Sequence, residues 1–185
     1  KAVSGILSVL AMTFAEQGSR QCLRYKLAGN PTDLGTWGHE YVRSIAGEIG
    51  QEAEARVIAG GGEDGEGNAA ASIGDDLLAM VKTIVPFHLK HNAEHEAVDL
   101  LLEVERLSLL LDEAAIDDKN YARVCLYLLR TADYAGDEEE RDAVHHVCFE
   151  IFRRQKEYVD ACRVALRLGD NERVAQCFKE CTDPT

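Results

Sequence analysis

The chain has 185 residues, 46% hydrophobic and 29% charged, enough to bury a core without disulfides or metals and too apolar for a disordered chain. Its 33 acidic residues outweigh 20 basic ones for a net charge of -13, which repels phosphate backbones and anionic membrane surfaces and excludes nucleic acid and membranes as expected partners. No apolar run approaches the ~20 residues needed to span a bilayer, and no secretory leader pattern is present.

Lys1 in place of an initiator Met predicts a piece of a longer chain. Three prolines, few aromatics and abundant Ala, Leu, Glu and Arg predict helices rather than a β-sandwich or barrel. Val3, Ile6, Leu7, Leu10 and Phe14 step by three or four and predict an amphipathic helix over 2–16. A short helix follows from Arg20 to Leu27, stopped by Gly29, Asn30 and Pro31. Trp37, Tyr41, Ile45 and Ile49 recur at i, i+4 and predict a helix from Thr36 to Ile58 with Trp37 on its core face. Gly38, Gly47 and Gly50 weaken it by up to ~1 kcal/mol each, which a closely crossing neighbour would explain.

Residues 59–74 carry Gly60, Gly61, Gly62, Gly65, Gly67 and Gly74 among Glu63, Asp64 and Glu66, with no apolar stripe, and read as a flexible acidic loop. It is no phosphate cradle, since no Lys or Arg lies between Arg56 and Lys82. Asp75 or Asp76 then caps a helix to about His88, which Pro86 kinks or ends. Asn92 caps the next, with Ala97, Leu100, Leu101, Val104, Leu107 and Leu111 on one face and Glu96, Asp99, Glu103 and Arg106 on the other.

The last third predicts four more helices. Asp117 or Asp118 caps one carrying Tyr121, Val124, Cys125, Leu128, Leu129 and Ala132. Asp137, with Glu140 three residues on as in a capping box, opens a second with Val144, Val147, Cys148, Ile151 and Phe152 inward. A third carries Val159, Cys162 and Leu166 and stops at Gly169; Asp170 caps a fourth with Val174, Cys177, Phe178 and Cys181. The expected fold is all-α, an α-solenoid-like stack of antiparallel helix pairs. Its expected organisation is N-terminal helices over 1–58, the loop 59–74, and hairpins over 75–185 continuing the same rod as one domain. The spacing of the pairs approaches that of tetratricopeptide repeats, but their consensus positions are missing.

His91-Asn92-Ala93-Glu94-His95 fits H-x-x-E-H, in which two His one turn apart hold zinc and the Glu acts as base. That chemistry needs all five residues in one helix, whereas Asn92 as a cap leaves His91 outside, and no third ligand is evident. His91, Glu94 and His95 are therefore rejected as a metal site. His145 and His146 point about 100° apart on a helix and Cys148 belongs to the core stripe, so they make no second site. Six cysteines suffice for three bridges, but Cys125, Cys148, Cys162, Cys177 and Cys181 fall on apolar stripes without any C-x-x-C and read as core thiols of a reducing compartment. The acids fall on solvent faces or at helix N-termini. No catalytic residue, cofactor or metal is expected.

Four stretches carry a resemblance: Ile6-Leu7-Ser8-Val9-Leu10-Ala11-Met12-Thr13; Trp37-Gly38-His39-Glu40-Tyr41-Val42-Arg43 with Ala46-Gly47-Glu48; His91-Asn92-Ala93-Glu94-His95-Glu96-Ala97 with Asp99-Leu100-Leu101; and Tyr121-Ala122-Arg123-Val124-Cys125-Leu126-Tyr127-Leu128. Together they resemble the N-terminal helical region of the largest non-ATPase subunits of the proteasome regulatory particle, from about Val3 to Cys181 and in the same order. The resemblance implies a non-catalytic scaffold, an all-α rod ahead of a toroid of proteasome/cyclosome repeats in the base beside the ATPase ring. It implies the proteasomal ATPases and other regulatory-particle subunits as partners, in cytoplasm and nucleus. Ubiquitin, ubiquitin-like shuttle factors and a deubiquitinase would dock on the toroid, beyond Thr185, so no partner-binding residue carries over to this chain. The family contains the His-Asn-Ala-Glu-His string without being a peptidase, and the sequence departs from it mainly at 59–74. The rival readings are a helical-repeat adaptor outside the proteasome and a zinc hydrolase using His91, Glu94 and His95.

Overall fold

The computed structural model describes residues 2–16, 18–31, 33–60, 73–112 and 116–181, and among these it holds nine α-helices, two short 3-10 segments and no strand. In chain order they are α1 (Ala2–Phe14), α2 (Gln21–Leu27), a 3-10 segment at Gly35–Trp37, α3 (His39–Gly60), α4 (Gly74–Lys90) and α5 (Glu94–Glu103). A second 3-10 segment at Leu107–Leu111 precedes α6 (Tyr121–Ala132), α7 (Glu138–Arg154), α8 (Tyr158–Arg167) and α9 (Asn171–Glu180). They form two units, Lys1–Arg106 and Leu107–Thr185. Most of the acidic Gly-rich stretch, residues 61–72, lies outside the described residues; its first residues close α3 and its last open α4.

In the first unit α1 packs on α2, and α3 contacts α1, α2, α4 and α5. The inward face of α1 is not the expected one. Ser8 and Ala11 are buried, while Val3, Ile6, Leu10 and Phe14 are exposed. Small side chains let the helix approach closely, and the polar Ser8 is tolerated there because its hydroxyl is fully engaged. It donates to the Cys22 carbonyl at 2.6 Å and lies 2.8 Å from the Tyr41 hydroxyl. Trp37 also departs from expectation. Gly38, at φ 86°, breaks the chain between the 3-10 segment and α3, so the i, i+4 register of the buried Tyr41, Ile45 and Ile49 does not extend back to it. Trp37 is 43% exposed, its ring tilted against Tyr41 at 6.4 Å. The glycines of α3 do mark a close crossing at one position: a Cβ on Gly50 would stand 2.0 Å from the Glu103 carboxylate of α5.

Pro86 does not end α4, which runs four residues further. Pro86 and Lys82 both lie on the exposed face, so the carbonyl that loses its partner is open to water, while Ile84, Val85, His88 and Leu89 hold the other face in the core. Asp75 and Asp76 sit in the first turn of α4 rather than at the cap. Asp76 takes both arms of Arg56 of α3 at 3.0 Å, and that guanidinium holds its carboxyl below the usual range. Arg56 also donates to the Ile73 carbonyl, which ties the end of α3 to the start of α4.

Asn92 is not the cap of α5. It lies at φ 59°, just past α4, where its N–H bonds Leu89 O and the Ala93 N–H bonds His88 O. This is the Schellman pattern that satisfies the last carbonyls of a helix. The same pair of bonds closes α5 at Glu105 (φ 53°), α7 at Lys156 (φ 62°) and α8 at Gly169 (φ 67°). The turn at Glu105 is why Leu107 and Leu111 do not continue α5 as expected. Only one of the four positions is glycine, and the others carry a Cβ in the left-handed region. Lys156→Gly is therefore expected to raise stability by about 0.5–1 kcal/mol, and Gly169→Ala, at the same geometry, to lower it by about as much. Urea midpoints at unchanged slope read both signs.

In the second unit each helix from α6 to α9 packs on the next, and the Leu107–Leu111 segment packs on α7. Three residues separate α7 from α8 and three separate α8 from α9, so each pair folds back on itself. The central α7 is buried along Val144, Val147, Cys148, Ile151 and Phe152 as expected, and along Phe149 as well. Asp137 accepts from Glu140 N at 2.8 Å and Asp170 from Glu172 N and Arg173 N, so both predicted caps are made. Glu140 reaches back to the N–H of Gly136, one residue before the cap. At α6, Asp117 and Asn120 instead close a turn on each other's backbone just ahead of the helix.

The register of α8 is a correction. Ala161, Val164 and Ala165 face inward, and Val159 and Leu166 are exposed. As in α1, the small residues take the close contact and leave the bulkier stripe outside. None of the six cysteines is in a disulfide; Cys22, Cys125, Cys148 and Cys177 are buried, whereas Cys162 and Cys181 are only half-covered.

Candidate functional site

The residues singled out by the H-x-x-E-H string straddle a helix junction. His91 is the last residue of the α4 turn, its Nδ1 2.7 Å from the Phe87 carbonyl. Glu94 opens α5 and is buried, and His95 follows it, largely exposed. The two imidazoles therefore do not share one helical face. His145 is buried with Nδ1 2.8 Å from Arg141 O, while His146 is exposed, so that pair diverges too.

The junction brings a different trio together. Among the described residues, one cluster has three metal-ligating side chains with one donor atom of each within 4.8 Å of the others: His39, His88 and Glu96. His39 is the first residue of α3, His88 lies in the last turn of α4, and Glu96 in the first turn of α5. The Schellman turn after α4 sets α5 back against α4, which places Glu96 beside His88. Nδ1 of His88 stands 3.1 Å from Oε2 of Glu96. That contact lies outside hydrogen-bonding alignment, and neither ring nitrogen of the fully buried His88 has a hydrogen-bond partner. Burial pushes the His88 imidazole below its ordinary pKa; the Glu96 carboxylate pulls the other way, and His39, His95 and His91 add to the lowering.

Surrounding side chains fix the trio. Arg43 Nε lies 3.3 Å from the other Glu96 oxygen, Oε1. The His39 ring packs on Phe87 at 5.0 Å and edge-on to His91 at 4.5 Å. Gly35 admits the Phe87 ring, since a Cβ there would stand 2.9 Å from it. Sequence reasoning passed over His39, His88 and Glu96 because they are 49 and 8 residues apart in the chain and share no short motif.

The second unit carries an open apolar groove of about 450 Å³ between α8 and α9, lined by Tyr158, Val159, Cys162, Leu166, Phe178 and Cys181. Phe178, 75% exposed, was expected inside. The exposed stripe of α1 is the corresponding apolar face of the first unit.

A family model described as the RPN1 N-terminal domain matches residues 1–185. The chain is 44% identical over 183 residues to the 26S proteasome non-ATPase regulatory subunit 2 homolog A of Arabidopsis thaliana, covering 99% of this chain and 19% of that protein. It is 42% identical over 177 residues to the 26S proteasome non-ATPase regulatory subunit 2 of Dictyostelium discoideum, covering 96% and 18%. Against the 26S proteasome regulatory subunit rpn1 of Schizosaccharomyces pombe it is 35% identical over 182 residues, covering 98% and 19%. The chain spans about a fifth of the length of the curated relatives it matches.

Proposed function

The chain belongs to the RPN1 N-terminal domain family, and on that premise we propose that it is the helical N-terminal part of a non-catalytic scaffold subunit in the base of the proteasome regulatory particle. The observation that carries this reading is the match along the whole chain, together with relatives of up to 44% identity that are named as proteasome regulatory subunits. The segment works by shape: paired helices offer stiff surfaces on which neighbouring subunits seat. Its partners are the proteasomal ATPases and other regulatory-particle subunits. Ubiquitin, ubiquitin-like shuttle factors and a deubiquitinase dock on parts of the subunit beyond this segment. The work is done where proteasomes operate, in cytoplasm and nucleus.

Two physical features support a seat in a larger assembly. Val3, Ile6, Leu10 and Phe14 form an exposed apolar face on α1, and Val159, Leu166 and Phe178 line an exposed groove at α8 and α9. Apolar surface of this kind is costly to leave in water and marks places of contact. The net charge of -13 favours basic rather than acidic partner surfaces.

The test is affinity capture of the tagged protein, expressed at native length in its own cells, with mass spectrometry of what accompanies it in ATP. Stoichiometric proteasomal ATPases and core-particle subunits are expected. A different reproducible complex lacking them would replace the reading with that of a helical-repeat adaptor.

A further inference from the structure

We propose that His39, His88 and Glu96 form a binding site for a divalent transition-metal ion of the zinc class, held where the start of α3, the end of α4 and the start of α5 meet. Two imidazoles and a carboxylate are a donor set that zinc takes readily, with a fourth position left to water.

The geometry is close to what such an ion requires. With metal–ligand bonds of about 2.0–2.1 Å, the donors of a tetrahedral site stand about 3.3 Å from one another. His88 Nδ1 and Glu96 Oε2 are already 3.1 Å apart. One donor atom of each of the three residues lies within 4.8 Å of the others, and the exposed His39 ring at the start of α3 needs only a small adjustment against Phe87 and His91 to close in.

The state of His88 is the second, independent observation. A buried polar group without a partner is costly, and here both nitrogens of a fully buried ring lack a hydrogen bond. An ion on Nδ1 replaces the misaligned contact with Glu96 Oε2 by a centre that both atoms share. Arg43 completes the arrangement from outside: its Nε, 3.3 Å from Oε1, holds the carboxylate so that the other oxygen faces His88. The Phe87 and His91 rings brace His39 in the same way.

The site is distinct from the H-x-x-E-H string, because His91 gives its Nδ1 to the Phe87 carbonyl and His95 lies on the open side of α5. That difference makes the test discriminating. The native-length protein is stripped with chelator, desalted and titrated with Co²⁺, read by visible ligand-field absorption, and then with Zn²⁺ as competitor. One equivalent of Co²⁺ with a tetrahedral spectrum, displaced by Zn²⁺, is expected. His39→Ala removes an exposed ligand without disturbing the core and is expected to weaken binding by a hundredfold or more, on the order of the largest losses seen for outer-shell residues. Glu96→Gln is expected to do the same, Arg43→Ala to cost about tenfold, and His95→Ala to leave binding unchanged. Absence of stoichiometric binding overturns the proposal, and so does binding that survives His39→Ala or is lost in His95→Ala.

Discussion

Phe149→Ala is expected to cost the second unit about 3–5 kcal/mol, the largest loss from a single side chain in that half of the protein. The ring is wholly enclosed in the middle of α7, the helix against which α6, α8 and the Leu107–Leu111 segment all pack. The ring has a second role. The Arg173 guanidinium of α9 lies 4.9 Å from the ring centroid, and its Nη1 is buried without a hydrogen-bond partner. The guanidinium pairs through Nε with Asp170 Oδ2 at 3.1 Å, and the π face is a second electrostatic partner on its buried side, worth about 0.5–2 kcal/mol. Phe149→Leu separates the two roles. A swap that keeps most of the volume costs less than about 1.5 kcal/mol on packing alone, and losing the ring face adds to that. Urea unfolding of both variants, each with and without Arg173→Met, measures the coupling. If Phe149→Leu costs the same whether residue 173 is Arg or Met, the ring contributes volume only.

What was legible in the sequence follows a physical division. Helix existence was legible because burying one face imposes a 3.6-residue period, seen in Tyr41, Ile45 and Ile49 and again along α7. The Asp137 and Asp170 caps were legible because the capping side chain is adjacent in sequence to the amide it serves. Three things were not. In α1 and α8 two faces compete, one bulky and apolar, the other lined by Ser8 and Ala11 or by Ala161 and Ala165, and hydrophobicity alone chooses the wrong one. Close approach rewards small residues, which only the position of the neighbouring helix decides. The left-handed residues Asn92, Glu105 and Lys156 were invisible because glycine is the usual sign of that turn. A non-glycine there shows itself only through the bonds it makes. The grouping of His39, His88 and Glu96 was not legible for a third reason: the three converge only through tertiary structure, and the one short motif nearby, His91 to His95, includes none of them.

Ser8→Ala is expected to destabilise the first unit by about 1–3 kcal/mol, although it removes a single oxygen. Ser8 joins three helices. From α1 its hydroxyl bonds the Cys22 carbonyl of α2, touches the Cys22 thiol at 3.3 Å and meets the Tyr41 hydroxyl of α3 at 2.8 Å. Burial pushes the Tyr41 hydroxyl up to about 12 and the Cys22 thiol up to about 11, so both stay protonated and need partners rather than charges. Alanine at position 8 strands the Tyr41 hydroxyl in the core. Tyr41→Phe keeps the ring and leaves Ser8 its bond to the Cys22 carbonyl, so its cost is about 1 kcal/mol or less. The double variant removes the stranded group along with its partner and is expected to be no less stable than Ser8→Ala alone, a coupling of about 1 kcal/mol. Strictly additive costs would mean that the two hydroxyls do not serve each other. The same contact seals α1 over Cys22, so alkylation of Cys22 in folded protein should accelerate in Ser8→Ala while that of Cys125 and Cys148, in the other unit, does not. Equal acceleration at all three thiols would instead report global unfolding and remove Ser8 as the local fastening of α1.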